Sequence, residues 1–135
     1  KGAAASCFRL PSGTLFAPDS TEVTSTAGLE QVAAALIEHP GWVAVVSGHV
    51  ADFGPEEGQV PFSAARAEAV VRVLRSLGVP ESVELIAVGR GTSDPVAPEW
   101  VDGVHDQAAA AQNRRVDVVY GSRDSVTTET ECGRA

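Results

Sequence analysis

Side chains suited to ligand binding occur at three places in this chain. The segment GHVADFG, residues 48–54, follows an apolar run of strand length and contributes His49 and Asp52. Arg66 comes a few residues later, and Arg114 opens the last predicted strand. A Gly-bounded loop between a strand and a helix is a frequent ligand site in α/β proteins, and an arginine fork suits bidentate binding of a carboxylate. The pattern fits a carboxylate-binding site, but spacing alone favours the other interpretation, exposed surface salt bridges.

Enzyme motifs are missing from the sequence. It contains no G-x-S-x-G, no G-x-x-x-x-G-K-[ST] and no H-E-x-x-H. The Gly-rich GRGTSDP at 89–95 follows a predicted strand without opening a helix, which disfavours a phosphate site. The side chains that resemble metal ligands lie in separate loops without ligand spacing; they are His49, His105, Asp52 and Asp106. We expect a protein without enzymatic activity, metal or cofactor.

Composition and charge fit a single acidic domain. The chain has 135 residues, of which 44% are hydrophobic and 21% charged, and this is enough for one hydrophobic core. Its formal net charge of −8 disfavours nucleic-acid binding, which needs clustered positive charge. No apolar run reaches the ~20 residues of a membrane-spanning helix, and no segment reads as a signal peptide. We expect membrane attachment to come from a region outside this chain.

Hydrophobic periodicity predicts alternating strands and helices. The predicted strands are near 13–17 and at 42–48, 82–89 and 114–121. The first predicted helix is 27–39, and the second runs from Ser63, its N-cap, to Gly78. Residues 90–112 are predicted to form an irregular connection that contains a short helix or turn at 106–112. This β-α-β-α-β-(α)-β order predicts an α/β fold, an α+β sandwich with helices packed on a four-stranded sheet. We assign residues 1–11 to an N-terminal tail, 12–121 to the domain and 122–135 to a polar, irregular C-terminal tail.

The last predicted strand, 114–121, carries polar residues on one face. Arg115 and Asp117 alternate with Val116 and Val118. Such alternation is typical of a strand with one face toward water.

Two cysteines, Cys7 and Cys132, lie near opposite ends of the chain. Reduced thiols in a cytosolic protein and a disulfide in an exported one both fit the residues alone. A disulfide that closes so long a loop stabilises by roughly 4–5 kcal/mol in the chain-entropy model.

Three motifs together resemble the C-terminal domain of the OmpA family, the peptidoglycan-associating module shared with Pal lipoproteins and MotB stators. They are G-H-x-x-x-x-G at 48–54, S-x-x-R-A at 63–67 and N-R-R-V-[DE] at 113–117, and the resemblance covers residues 12–121. It implies a mixed sheet in which the first and last strands are adjacent and antiparallel. That arrangement would bring Cys7 and Cys132 to one edge, so the resemblance also implies a disulfide and an extracytoplasmic, cell-envelope location.

The resemblance further implies a noncovalent ligand, the diaminopimelate of the peptidoglycan stem peptide. Matched by motif, the arginine that receives its carboxylate is Arg66. The usual loop reads G-H-T-D, and its threonine and aspartate fall here on Val50 and Ala51. Gln59 stands where an asparagine usually precedes the second helix. The candidate ligand-binding residues are therefore Arg66, Asp52, Ala51, His49, Gln59, Asn113 and Arg114.

Because Ala51 stands where the usual loop has an aspartate, two functional hypotheses remain. The first is a wall-binding domain that anchors an envelope protein, with an affinity weakened by the missing aspartate, since a hydrogen bond to a charged group contributes ~1.5–3 kcal/mol. Adjacent side chains in an extended segment point to opposite sides. Asp52, one residue after Ala51, would therefore compensate for the missing aspartate only if the loop departs locally from the usual conformation. The alternative is a degenerate module for protein–protein interaction or structure, without wall binding.

Overall fold

Strands and helices alternate along the chain. The computed structural model describes residues 5–17, 20–51, 56–93, 95–130 and 132, without the side chains of Glu56 and Glu57. The strands are β1 Ser6–Pro11, β2 Val43–His49, β3 Glu84–Gly91, β4 Trp100–Val101, β5 Val104–His105 and β6 Arg115–Gly121; the α-helices are α1 Ala27–Ile37, α2 Glu56–Ser76 and α3 Gln107–Asn113. None of the helices in these residues combines the length and hydropathy needed to cross a membrane.

The main sheet has four strands in the order β1-β6-β2-β3. Strand β6 pairs antiparallel with both β1 and β2, whereas β2 and β3 are parallel. A parallel pair needs a crossover connection, which α2 supplies. The predicted four-stranded mixed sheet is confirmed, with its first and last strands adjacent and antiparallel.

Helices α1 and α2 cover one face of this sheet. Residues at helical spacing on each helix meet the alternate residues of β2 and β6 that point to the same side. The fully buried members of this core include Leu29, Val32 and Leu36 of α1, Ala67, Val70 and Leu74 of α2, and Ala44, Val46, Val116 and Val118 of the sheet. This layer fixes α2, the helix that carries Arg66, above β2 and β3.

Two glycines allow α2 to approach the sheet closely. A Cβ added to Gly89 would lie 2.6 Å from the backbone nitrogen of Ala64, and one added to Gly48 would overlap the carbonyl oxygen of Ser63. Real Cβ atoms do not approach other atoms as closely as either of these added atoms would. The glycine of the G-H motif is therefore a packing requirement, and it sets how Arg66 is placed relative to the end of β2.

Ser63 lies inside α2, so the prediction that it is the N-cap is wrong. The helix begins at Glu56 and continues through Pro61. The Ser63 hydroxyl donates to the carbonyl of Val60 and accepts from the backbone N–H of Gly91, each at 2.9 Å. A serine before an apolar stripe is a typical cap signal, but here its hydroxyl joins α2 to β3.

Gly48→Ala is expected to destabilise the domain by about 1–3 kcal/mol, the usual range for overpacking. The reason is that the new methyl group has to displace the backbone of α2 at Ser63. Urea denaturation measures the change in free energy of unfolding. Gly13→Ala is the matched control, because a Cβ at Gly13 meets nothing within 4 Å; equal stability losses in the two variants would contradict the packing role.

The first strand lies earlier than predicted. The prediction of a strand at 13–17 is wrong: Ser6–Pro11 forms β1, so residues assigned to the N-terminal tail belong to the sheet, and Ser12–Thr14 forms a 3₁₀ turn. Pro11 is tolerated because it ends an edge strand, where no ladder donor is required. Leu15 and Phe16 are buried by packing beneath the helices.

The connection predicted to be irregular contains a hairpin. Strands β4 and β5 pair antiparallel, and the turn residues Asp102 and Gly103 have φ of 53° and 79°. Two consecutive positive φ values are typical of the type I′ turn that Asp-Gly favours, so the signal was present in the sequence. The short helix predicted at 106–112 is confirmed as α3.

The second face of the sheet is covered by C-terminal residues, 122–130 and Cys132. Val126 packs in a second apolar cluster with Val43, Val45 and Val119. The disulfide Cys7–Cys132, with Cα atoms 5.5 Å apart, ties this segment to β1. The disulfide prediction is confirmed.

The polar face of β6 is buried, so the prediction of a wetter face is wrong. Arg115 and Asp117 are 1% and 3% exposed. Asp117 lies with Thr130 and Cys132 around one small cavity beneath the C-terminal segment. The two charges are tolerated because they pair with each other.

Candidate functional site

Arg66 is buried on α2 and holds the loop that follows the first strand. Its Nε donates to the carbonyl of Ser20 at 2.8 Å and its Nη2 to that of Ala17 at 3.4 Å. The guanidinium carbon lies 4.6 Å from the ring centroids of Phe16 and Phe62. Cation–π contacts of this kind contribute about 0.5–2 kcal/mol each. The two rings and two carbonyls fix the plane of the guanidinium.

Two predicted site residues next to the loop between β2 and α2 are buried. Ala51, just after β2, is 5% exposed. Gln59, expected to precede the second helix, lies inside α2 and is 8% exposed. The backbone N–H of Val50 donates to the carbonyl of Gly91 at 3.0 Å, so pairing with β3 continues just past the end of β2. Asp52 lies outside the described residues. At Ala51 a methyl group stands where the motif usually carries a carboxylate.

Asn113 holds the segment that leads into the β4–β5 hairpin. Its Oδ1 accepts from the backbone of Val96 and Ala97 at 2.7 and 3.1 Å. Its Nδ2 donates to the carbonyl of Ala97 and to a carboxylate oxygen of Glu99, both at 2.8 Å. Glu99 also contacts His105 Nε2 at 2.9 Å. The structure therefore gives Asn113 a scaffold role toward residues 96–99.

Arg114 follows as the C-cap of α3, and its backbone joins two parts of the fold. The N–H of Ser12 donates to the carbonyl of Arg114 at 2.9 Å. The side chain of Arg114 is half-buried. Asp106 caps the other end of α3 by accepting from two backbone N–H groups. In the described residues, no group of three or more His, Cys, Asp or Glu side chains is arranged to hold a metal.

His49 lies on the sheet face opposite α2. Its Nε2 is 3.7 Å from Oδ2 of Asp117. The same carboxylate accepts from Nε of Arg115 at 3.0 Å and from Nε and Nη2 of Arg9 at 3.1 and 3.2 Å. These residues lie on β1, β2 and β6. We call this group the Asp117 cluster; it links three strands through one buried carboxylate.

The predicted site residues therefore fall into separate groups. Arg66 is engaged by the loop around Ala17 and Ser20, Asn113 by the segment before the hairpin, and His49 by the Asp117 cluster. Sequence reasoning missed Phe16 and Phe62, because aromatic residues in amphipathic segments are ordinarily read as core. It also missed Asp117, although that residue ends the N-R-R-V-[DE] motif.

Comparison with known proteins gives one family. Residues 15–109 match the model of the OmpA family. A peptidoglycan-associated lipoprotein of Legionella pneumophila is 32% identical over 108 residues, which are 78% of this chain and 58% of that protein. The chain thus spans little more than half the length of this relative.

Solved structures agree with that match. The crystal structure of the peptidoglycan-associated lipoprotein from Burkholderia pseudomallei is 36% identical, with a TM-score of 0.68 over 84% of this chain and 89% of that one. A putative MotB-like protein from Desulfovibrio vulgaris is 27% identical, with a TM-score of 0.71 over 87% of this chain and 75% of that one. None of these three relatives bears the name of an enzyme.

Proposed function

Because this chain belongs to the OmpA family, we propose that it is a noncovalent peptidoglycan-binding domain that anchors a cell-envelope protein to the wall. The observation that carries the proposal is the arginine of the S-x-x-R-A motif, Arg66, which is buried and contacts two aromatic rings. Two of the relatives are named for their association with peptidoglycan. The disulfide supports an extracytoplasmic location, because disulfides persist in oxidising compartments. No enzymatic step is part of this proposal.

The proposed ligand group is a carboxylate of diaminopimelate in the stem peptide. A planar guanidinium presents parallel N–H donors that match a carboxylate. Arg66 already donates to two backbone carbonyls, and its bond to Ala17 is the longer one at 3.4 Å. A ligand carboxylate would compete with that weaker bond, while the bond to Ser20 and the two rings keep the guanidinium in place.

The affinity is expected to be reduced by Ala51. Loss of one hydrogen bond to a charged group costs ~1.5–3 kcal/mol. This corresponds to a dissociation constant that is roughly ten to a hundred times larger. Asp52 would restore part of this only if its carboxylate faces the ligand. We therefore expect binding that is measurable but weaker than in a domain with the complete G-H-T-D loop.

A second candidate function is a module for protein–protein interaction or structure that has lost wall binding. Two observations favour it: Ala51 is a buried methyl group, and Arg66 is engaged by the protein's own backbone. The two functions differ in what happens when the missing loop contacts are restored.

Val50→Thr combined with Ala51→Asp is expected to raise retention on purified peptidoglycan by roughly tenfold or more. The new carboxylate would bind the amino-acid end of diaminopimelate, opposite the carboxylate at Arg66. Co-sedimentation with insoluble peptidoglycan measures the bound fraction. The control is the same pair of substitutions with Arg66→Gln, which should remove the gain.

Two results would change this interpretation. Binding by the double variant but not by the unaltered chain would favour the degenerate module. A double variant that binds no better than the unaltered chain would contradict the role assigned to position 51.

A further inference from the structure

Residues 122–130 and Cys132, which we call the strap, cross the sheet from β3 to β1. Its first half, 122–126, is held by side chains. Arg123 Nη1 lies 2.6 Å from Oε1 of Glu84 on β3, and Val126 is buried in the second apolar cluster. Burying a valine side chain contributes about 1.5–3 kcal/mol, so this half has its own noncovalent attachment.

The second half of the strap, 127–130 and Cys132, has few attachments to the sheet. Its turn is closed by local bonds between Thr127 and Thr130, at 2.9 and 3.0 Å. Within the described residues, Arg90 is the one sheet residue that donates a hydrogen bond to 127–130, and it donates to the carbonyl of Thr128. Cys132 packs against the second apolar cluster and forms the disulfide to Cys7.

Beneath this second half lies the Asp117 cluster. Thr130 and Cys132 close a small cavity whose other walls include His49 and Asp117. Both of these side chains are about 95% buried, each with a relative exposure of 5%. His49 is also the last residue of β2, directly before the loop that contains Ala51. The exposure of this cavity to solvent therefore depends on the position of the second half of the strap.

The disulfide is open to attack from solvent. Cys7 is exposed on β1, which is an edge strand of the sheet. Thiol–disulfide exchange needs a thiolate to reach one of the two sulfur atoms. The bond that holds the second half of the strap is thus accessible, whereas Val126, which holds the first half, is buried.

We propose that the Cys7–Cys132 disulfide makes the second half of the strap a redox-controlled cover over the Asp117 cluster. A dithiol reductant donates two electrons and becomes a disulfide itself, and Cys7 and Cys132 take up two protons and become thiols. Without the covalent tether the effective concentration of 127–130 and Cys132 at the sheet falls. That half then detaches, the first half stays on Val126, and the cavity at His49 opens to water.

Hydrogen exchange measured by mass spectrometry tests this cover on the oxidised chain and on the chain treated with dithiothreitol. Reduction is expected to speed amide exchange in 127–130 and exchange of the imidazole C2 hydrogen of His49 by roughly tenfold or more. Amide exchange in α1 and β2 should not change. A chain with Cys7→Ser and Cys132→Ser should show the fast rates with and without dithiothreitol, and a chain ending after Val126 defines full exposure of His49.

Two outcomes would overturn the proposal. The first is unchanged exchange at 127–130 and His49 although alkylation shows that both cysteines are reduced. The second is fast exchange throughout α1 and β2, which would make the disulfide a support of the whole fold. Release of the strap requires no wall ligand, so either outcome is independent of whether the domain binds peptidoglycan.

Discussion

Replacing Asp117 by asparagine is expected to lower the free energy of unfolding by about 3–5 kcal/mol, the range for removing one partner of a buried ion pair. The carboxylate receives hydrogen bonds from Arg115, which is 1% exposed, and from Arg9. Asparagine keeps the shape but removes the charge that compensates the buried guanidinium of Arg115. Urea denaturation followed by circular dichroism measures the loss.

Arg9→Ala is the matched control for the Asp117 cluster. Arg9 contacts the same carboxylate, but its side chain is 43% exposed. A partly exposed ion pair contributes about 1 kcal/mol or less, so this variant should lose far less stability than Asp117→Asn. If both variants lose about the same amount, or if Asp117→Asn loses less than Arg9→Ala, the buried carboxylate does not stabilise the sheet as described.

Replacing Arg66 by glutamine is expected to reduce both stability and wall retention. Loss of the charged hydrogen bond to Ser20 costs about 1.5–3 kcal/mol, and the contacts with Phe16 and Phe62 add to it. Retention on peptidoglycan should fall at least roughly tenfold, because the donor for the ligand carboxylate is gone. Co-sedimentation at a temperature where the variant is folded measures the second effect separately.

Asp117→Asn also serves as the stability control for that experiment. Its carboxylate lies with His49 on the sheet face opposite α2, so it should lose stability but keep peptidoglycan retention. Arg66→Lys should keep the positive charge and lose the planar fork, giving an intermediate retention. If Asp117→Asn loses as much retention as Arg66→Gln, retention follows stability and Arg66 is not the wall-binding residue.

The central strands and helices of the fold could be predicted from the sequence because their patterns are strong. The buried run of β2, the apolar run of β3, the apolar stripe of α1 and the alternation in β6 lie within a few residues of the predicted bounds. Strand β1 was misplaced because an edge strand that ends in Pro11 has a weak pattern. The burial of Arg115 was missed because a strand sequence does not reveal which segment covers its second face.

Less of the candidate site could be predicted from the sequence. Motifs identify Arg66 and Asn113, but Arg66 donates to backbone carbonyls, one of them 46 residues away at Ser20. Every residue has a backbone carbonyl, so the residue types in the sequence do not show which carbonyl accepts the hydrogen bond. The same holds for Asn113, whose side chain bonds mostly to the backbone of Val96 and Ala97.

Co-sedimentation of the unaltered, oxidised chain with purified peptidoglycan that contains diaminopimelate is the most direct test of the proposed wall binding. The expected result is retention that free diaminopimelate competes away and that drops when the stem peptide carries lysine instead. Loss of retention in Arg66→Gln, with retention kept in Asp117→Asn, would place the ligand at Arg66. No retention of the unaltered chain on either peptidoglycan would contradict wall binding.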